Sequence, residues 1–204
     1  MNTSTRSAGR TVWVAVRAMA VLTLLLGVGY TLVITGFGQL IVPAQANGSI
    51  ARDAEGEPVG SALLGQSFAD AEGAPLPEYF QPRPSAAGDG YDGGASSGSN
   101  LGPENEDLVA AIAERKAQVA EFNGVAEADV PADAVTASGS GLDHHISPEY
   151  AGIQVERVAA ERGLDLDEVR GLVAEHTSGR TLGFLGEPSV NVLELNLALD
   201  ELEG

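Results

Sequence analysis

The sequence predicts a single N-terminal transmembrane helix followed by one compact α/β (α+β) domain outside the cytoplasm. Three observations support this prediction. Residues 18–42 contain 25 consecutive residues without a charged side chain. Three arginines and no acidic residue occupy residues 1–42, whereas residues 43–204 hold all 29 acidic residues and only eight basic ones. Within this acidic body, apolar residues at helical spacing alternate with short apolar runs that are typical of strands.

The apolar run is long enough to cross a membrane. As a helix, residues 18–42 would extend about 37 Å, against a hydrocarbon core of ~30 Å. Arg6, Arg10 and Arg17 precede it, so the positive-inside rule places the N-terminus in the cytoplasm. A cleaved signal peptide is the alternative, because Ala44-Gln45-Ala46 resembles a cleavage site, although the apolar region of a signal peptide spans only ~7–15 residues. The predicted segments are a basic cytoplasmic N-terminus (1–17), the helix (18–42), a linker (43–60) and the extracytoplasmic domain (61–204).

Three residues of the predicted helix are candidates for packing against another helix. Gly29 and Gly36 are seven residues apart and lie on one helical face, where small residues allow close approach. The amide of Gln39 either bonds a neighbouring helix or is hydrated near the outer interface.

Local signals predict the elements of the outer domain. Ser147 and Pro148 are typical of an N-cap and a first helical residue, and Gly163 would end that helix. Asp165 with Glu168 forms a capping box for the next helix. The remaining predictions are a strand over 62–66, an irregular stretch over 73–103, a helix from Pro103, strands over 182–185 and 190–195, and a short helix over 196–202.

Composition excludes several classes of function. The chain has 204 residues, no cysteine and a formal net charge of −18. Disulfide scaffolds, thiol nucleophiles and cysteine-built metal centres are therefore excluded. A body this acidic should repel nucleic acid, so no nucleic-acid partner is expected.

Two loops carry motifs that are typical of catalysis or anion binding. Residues 94–98 fit the G-x-S-x-G string with Ser96 as nucleophile, but that motif requires a preceding strand and a following helix. A membrane-anchored extracytoplasmic serine hydrolase or binding module is therefore one possible function. The loop 136–141, with Ser138 and Ser140, either offers backbone N–H groups to an anion or packs as a turn-rich loop.

The charged and imidazole side chains leave further alternatives open. Arg83 lies between two prolines, which either present its guanidinium to a ligand or hold it in an internal ion pair. His144 and His145 are adjacent and lack the spacing of a helical metal pair, and nothing in the position of His176 requires a metal site. No metal ligand and no catalytic residue is therefore assigned.

Several long strings resemble the family of the C subunit of the Kdp potassium-transporting P-type ATPase. They occur in the family's order across essentially the whole chain: YFQPRPSA (79–86), GYD (90–92), ASSGSNLGP (95–103), VTASGSGLD (135–143), HISP (145–148), QVxRVA (154–159), LGFLGEP (182–188) followed by VNV (190–192), and NxALD (196–200). The chain departs from the family pattern at Glu104, His144 and Ser189, where threonine, proline and arginine are usual.

The resemblance implies a non-catalytic accessory subunit of an ATP-driven, high-affinity potassium uptake pump in the bacterial cell membrane. The implied partners are a potassium-translocating subunit, an ATP-hydrolysing P-type subunit, a small one-helix subunit and membrane lipid. ATP and potassium would be handled by the complex, with no cofactor bound by this chain. The family is also described as a catalytic chaperone that raises the ATP affinity of the hydrolysing subunit. We expect instead an outer cap near the potassium entrance.

The family strings also supply candidate partner-binding residues. They are Gln81, Arg83, Ser96, Ser97, Asn100, Ser138, Ser140, Asp143, His145, Gln154 and Glu187.

Overall fold

The computed structural model describes residues 4–202 and forms two compact units that divide between Ser49 and Ile50. The first three residues of the predicted segment 1–17 and the last two of the predicted domain lie outside the described residues. One long apolar helix and a compact domain of helices and small sheets confirm the predicted fold class.

The first unit is helical as far as Ile41. Its segments are α1 (Ser4–Leu22), a π-helical stretch (Thr23–Tyr30) and α2 (Thr31–Ile41). Within the described chain, one helix is long and apolar enough to cross a membrane, Ala8–Ile41, and its most apolar 18-residue window has a mean hydropathy of 2.1. The helix begins N-terminal to the predicted membrane segment 18–42, whose bounds stay a prediction. It ends at Val42, whose backbone leaves the helical region (φ −134°, ψ 60°), and Pro43 opens the separate short helix α3 (Pro43–Ala46).

The second unit opens with a β-hairpin where a linker was predicted over 43–60. Strand β1 (Ile50–Arg52) pairs antiparallel with β2 (Pro58–Ser61). The strand predicted over 62–66 is wrong. The chain turns there instead, because the N–H of Leu64 donates to the carbonyl of Ser61 at 3.1 Å.

Four α-helices, two short 3₁₀ helices (Glu127–Asp129 and Ala132–Ala134) and a three-stranded sheet are the other regular elements of this unit within the described residues. The helices are α4 (Glu106–Asn123), α5 (Pro148–Arg162), α6 (Leu166–Glu175) and α7 (Val192–Glu201). The strands are β3 (His145–Ile146), β4 (Thr177–Ser178) and β5 (Ser189–Asn191), in the antiparallel order β3-β5-β4. The central Val190 pairs with Ile146 on one side and Thr177 on the other.

Short polar side chains set the helix starts. The predicted caps are confirmed, since Ser147 Oγ accepts the N–H of Tyr150 at 3.0 Å and Asp165 accepts the N–H of Asp167 at 2.9 Å. Gly163 ends α5 with a left-handed φ of 67°.

Two predicted boundaries shift for the same reason. Helix α4 begins after Asn105 rather than near Pro103, because Asn105 accepts the N–H groups of Asp107 and Leu108. The strand predicted over 190–195 stops at Asn191, whose side chain caps α7 instead.

The strand predicted over 182–185 is wrong, since those residues form an exposed turn with a single bridge between Thr181 and Leu185.

An irregular segment, residues 76–85, crosses the helices and is called the strap. Phe80 is fully buried in the core formed by α5, α6, α7 and the sheet. Two buried side-chain amides hold the backbone of the strap. Asn196 on α7 accepts the N–H of Phe80 at 2.9 Å and donates to its carbonyl at 3.0 Å. Gln154 on α5 does the same for Gln81, at 2.7 and 3.1 Å.

The buried guanidinium of Arg157 completes this arrangement. We call Asn196, Gln154 and Arg157 together the amide clamp. Arg157 donates to Gln154 Oε1 at 2.8 Å, to Asn123 Oδ1 at 3.0 Å and to the carbonyl of Tyr79 at 3.0 Å. Its guanidinium also lies 4.4 Å above the ring of Phe122. Burial lowers the pKa of Arg157 to about 10, so the side chain stays charged at neutral pH.

Replacing Gln154 tests the contribution of the amide clamp to stability. Gln154→Leu keeps the size of the side chain but leaves the backbone of Gln81 and one Arg157 donor without partners. We expect the free energy of unfolding to fall by about 2–4 kcal/mol, because each orphaned buried group costs ~1–3 kcal/mol. Urea denaturation followed by circular dichroism measures this change. The matched control is Gln118→Leu, at an exposed position of α4, which should change stability by no more than ~0.5 kcal/mol. Equal effects of the two substitutions would contradict this role of Gln154.

Candidate functional site

The candidate residues from the family strings fall into two neighbouring groups, one on the strap and one on two serine-rich loops. Gln81 on the strap and Gln154, which contacts it from α5, belong to the first group, but both make hydrogen bonds within the fold. Gln154 is fully buried in the amide clamp, and the Gln81 amide donates to the carbonyls of Leu76 and Phe68 at 2.9 and 3.0 Å. Gln154 is therefore closed to a ligand in this conformation, and the NH2 group of Gln81 is already engaged.

Arg83 joins the two groups. Its guanidinium lies 2.8 Å from Asp143 Oδ2, and both side chains are largely buried, with 22% and 28% of their surfaces exposed. It also donates to the carbonyl of Thr136 at 3.3 Å. The structure therefore favours the internal ion pair over a guanidinium that is presented to a ligand.

A cleft of about 400 Å³ lies beside the strap. Its walls include Gln81, Arg83, Tyr91, Arg115 and Tyr150. Burial raises the pKa of both tyrosines above the ordinary value of a phenol, so each remains a hydrogen-bond donor at neutral pH. Tyr91 uses its hydroxyl to bond the carbonyl of Arg83 at 2.5 Å. These groups suit the binding of a polar surface better than proton transfer.

The serine-rich loops meet at a second cavity of about 420 Å³, whose lining includes Ser96, Ser138, Ser140, Asp143 and His144. The hydroxyls of Ser138 and Ser140 accept the backbone N–H groups of Gly141 and Leu142, at 2.9 and 3.1 Å. These two N–H groups are therefore not free for an anion, which favours the turn-rich packed loop.

Ser97 and Asn100 hold the other loop in place. The N–H of Ser97 donates to the carbonyl of Ser140 at 2.9 Å, and the amide of Asn100 donates to the carbonyl of Gly98 at 3.1 Å. Asn100 adopts a left-handed φ of 53°, a conformation that asparagine tolerates better than most residues.

The surroundings of Ser96 differ from those of a serine nucleophile. Its hydroxyl donates to the carbonyl of Ser140 at 3.0 Å, rather than to an imidazole. Residues 94–98 form part of an irregular loop, without the strand and helix that a nucleophile elbow requires.

Asp143, His144 and His145 form a cluster that the residue spacing did not predict. One ligand atom from each lies within 4.8 Å of the others, and the two imidazole rings are 3.9 Å apart at their centroids. Burial, followed by the proximity of His145, lowers the pKa of His144. However, Asp143 already accepts from Arg83 and from the N–H of His145 at 3.0 Å, so a metal ion would compete with both. His176 lies apart, with Nδ1 2.9 Å from the carbonyl of Leu172.

The remaining candidates lie outside both groups. Glu187 forms an ion pair with Arg180. Gln39 in α2 and Asn47, just after α3, exchange two amide hydrogen bonds of 3.0 and 3.2 Å, so the amide of Gln39 is satisfied within the chain. A side chain added at Gly36 would meet nothing within 4 Å, and one at Gly29 would meet only helix backbone, which leaves their use for helix packing a prediction.

Two glycines of the loop 136–141 provide a matched test of this packing. At Gly141, φ is +68°, and an added Cβ would lie 2.7 Å from both Ala87 N and Ser97 O. At Gly139, an added Cβ would meet nothing within 4 Å. We expect Gly141→Ala to destabilise the domain by about 2 kcal/mol or more, because strain and a backbone clash combine. Gly139→Ala should be close to neutral. Thermal unfolding of the two variants side by side measures the difference. Similar unfolding midpoints would refute the close packing of the loop 136–141 against Ala87 and Ser97.

A protein-family model described as "KdpC: K+-transporting ATPase, c chain" matches residues 12–201 of this chain. Curated relatives match over most of their length as well. The "Potassium-transporting ATPase KdpC subunit" of Kineococcus radiotolerans is 60% identical over 174 residues, covering 85% of each chain. The subunit of the same name from Beijerinckia indica is 53% identical, covering 90% of this chain and 89% of the relative. That from Mycobacterium tuberculosis H37Rv is 51% identical, covering 92% and 96%.

Proposed function

Since the chain belongs to the KdpC family of potassium-transporting ATPase subunits, we propose that it is an accessory subunit that stabilises the assembled pump and caps its potassium entrance from outside. The observation that carries this proposal is the joining of one apolar membrane helix to a domain with a net charge of −21. The candidate residues of that domain mainly hold its own loops together. This arrangement suits a subunit that acts by binding its partners.

The direction of insertion follows from the charges beside the helix. Arg10 and Arg17 lie in its N-terminal part, and no acidic residue precedes Asp53. Because basic residues are retained on the cytoplasmic side, the N-terminus would be cytoplasmic and the acidic domain extracytoplasmic. The proposed partners are the potassium-translocating subunit, the ATP-hydrolysing P-type subunit and the small one-helix subunit, together with membrane lipid.

An acidic cap has a physical use at a potassium entrance. A surface of one sign raises the local concentration of the opposite ion, and salt screens this effect beyond ~8 Å at physiological ionic strength. A chaperone role for this domain in ATP binding faces a difficulty in this topology. ATP is cytoplasmic, so only the N-terminal residues would reach the nucleotide-binding subunit.

Deleting the outer domain tests the cap. Removal of residues 43–204 should raise the potassium concentration for half-maximal ATPase activity several-fold, because the acidic field at the entrance is lost. Potassium-stimulated ATP hydrolysis by the purified complex measures this, with the Michaelis constant for ATP determined in the same preparations.

The controls separate the cap from other roles. Part of the difference between the two complexes in the potassium concentration for half-maximal activity is electrostatic. This part should shrink when choline chloride is added, since added salt screens surface charge. Unchanged potassium affinity in a complete complex would refute the cap. A changed Michaelis constant for ATP alone would favour the chaperone role. Failure of the full-length chain to recover any pump subunit in a mild-detergent pull-down would refute the accessory function itself.

A further inference from the structure

An apolar turn projects from the outer domain. Residues 181–188 are all exposed, and Leu182, Phe184 and Leu185 expose 79%, 69% and 49% of their surfaces. Outside the turn, the most exposed large apolar residues in the described part of this unit are Leu63 and Val109, both at 55%, below Leu182 and Phe184 but above Leu185. A cluster of exposed large apolar side chains on a soluble surface is typical of a binding site.

The turn is held in one conformation by its own contacts. The backbones of Thr181 and Leu185 exchange two hydrogen bonds of 2.9 Å, and the N–H of Gly183 donates to the carbonyl of Arg180 at 3.0 Å. An ion pair between Arg180 and Glu187 closes its base. Leu182 adopts φ 55°, a left-handed conformation that disfavours a leucine. A strained and braced turn that exposes apolar side chains is preorganised for binding.

The charges of the turn and of the domain indicate which kind of partner binds the turn. The only charged residues of the turn and its base, Arg180 and Glu187, neutralise each other, so this turn offers no free cation to anionic lipid headgroups. The body carries a net charge of −21, which repels both an anionic bilayer surface and a second copy of itself. The occupant that satisfies both the apolar tip and the acidic surroundings is an apolar protein groove with a basic rim.

We infer that the turn formed by residues 181–188 is a docking element that inserts Leu182 and Phe184 into an apolar, basic-rimmed groove on another subunit of the pump. The inference rests on the proposed function and adds to it the element that makes the contact. Apolar side chains that become buried at an interface often carry most of its binding energy, so a small turn is sufficient.

Site-directed crosslinking tests this docking element in the assembled pump. The chain has no cysteine, so Phe184→Cys provides a single attachment point for a benzophenone maleimide. The full-length chain is expressed in membranes with the other pump subunits, labelled and irradiated. We expect a crosslinked product with a pump subunit, identified by mass spectrometry. Leu63→Cys, at a similarly exposed apolar residue outside the turn, is the control and should yield at least ~10-fold less of that product.

A second variant removes the apolar side chain without disturbing the turn. Leu182→Gly suits the left-handed backbone, so the domain should fold as well as the wild type. With Phe184→Ser added, we expect recovery of the partner subunits in mild detergent to fall about tenfold or more. The thermal unfolding midpoint of each variant shows whether the domain is intact.

The outcomes separate the docking element from the proposed function. Crosslinks from position 184 to lipid alone, or to a second copy of this chain, would overturn the docking element. Full recovery of the partners by the double variant would also overturn it and leave the accessory function standing. If the wild-type chain recovers no pump subunit, the proposed function fails, and the inference fails with it.

Discussion

The fold of the second unit depends on whether the backbone N–H and carbonyl groups of the strap find hydrogen-bond partners. Residues 76–85 have no neighbouring strand, yet Phe80 is fully buried, and a buried peptide group without partners is costly. Asn196 and Gln154, from two different helices, each pair with the N–H and the carbonyl of one strap residue. Arg157 then donates both to Gln154 and to the carbonyl of Tyr79 in the strap. A buried guanidinium is tolerated only when its donors are satisfied, so these contacts depend on one another.

The same use of side chains in place of strand pairing extends to the serine-rich loops. Ser85 Oγ donates to the carbonyl of Gly141 at 2.7 Å and accepts the N–H of Tyr91 at 2.8 Å, so the strap connects directly to the loop 136–141. Arg83 and Asp143 add a charged link between the same segments. The polar residues that resemble a binding site are therefore largely consumed by the fold. Interaction with partners is left to the exposed surface, in keeping with a subunit of a larger pump.

Features that depend on a few neighbouring residues could be predicted from the sequence. The caps at Ser147 and Asp165 and the end of α5 at Gly163 are local, and so is the apolar membrane helix. The amide clamp could not be predicted, because its partners lie 73 and 116 residues apart. The cluster of Asp143, His144 and His145 was not predicted, because it depends on side-chain directions in an irregular segment. The apolar run at 182–185 predicted a strand, but left-handed residues at Leu182 and Gly183 fold it into a turn.

The clamp also fixes how the domain responds to acid. The amides of Asn196 and Gln154 exchange no proton in the ordinary range of pH, and Arg157 keeps its proton because its pKa falls only to about 10. The hold of the clamp on Phe80 and Gln81 therefore has the same protonation state from roughly pH 4 to pH 9. In the proposed orientation the domain would face the medium and meet whatever acidity the surroundings impose. The hold on the centre of the strap is insulated from those changes, which leaves the side chains outside the clamp as the groups through which acid acts.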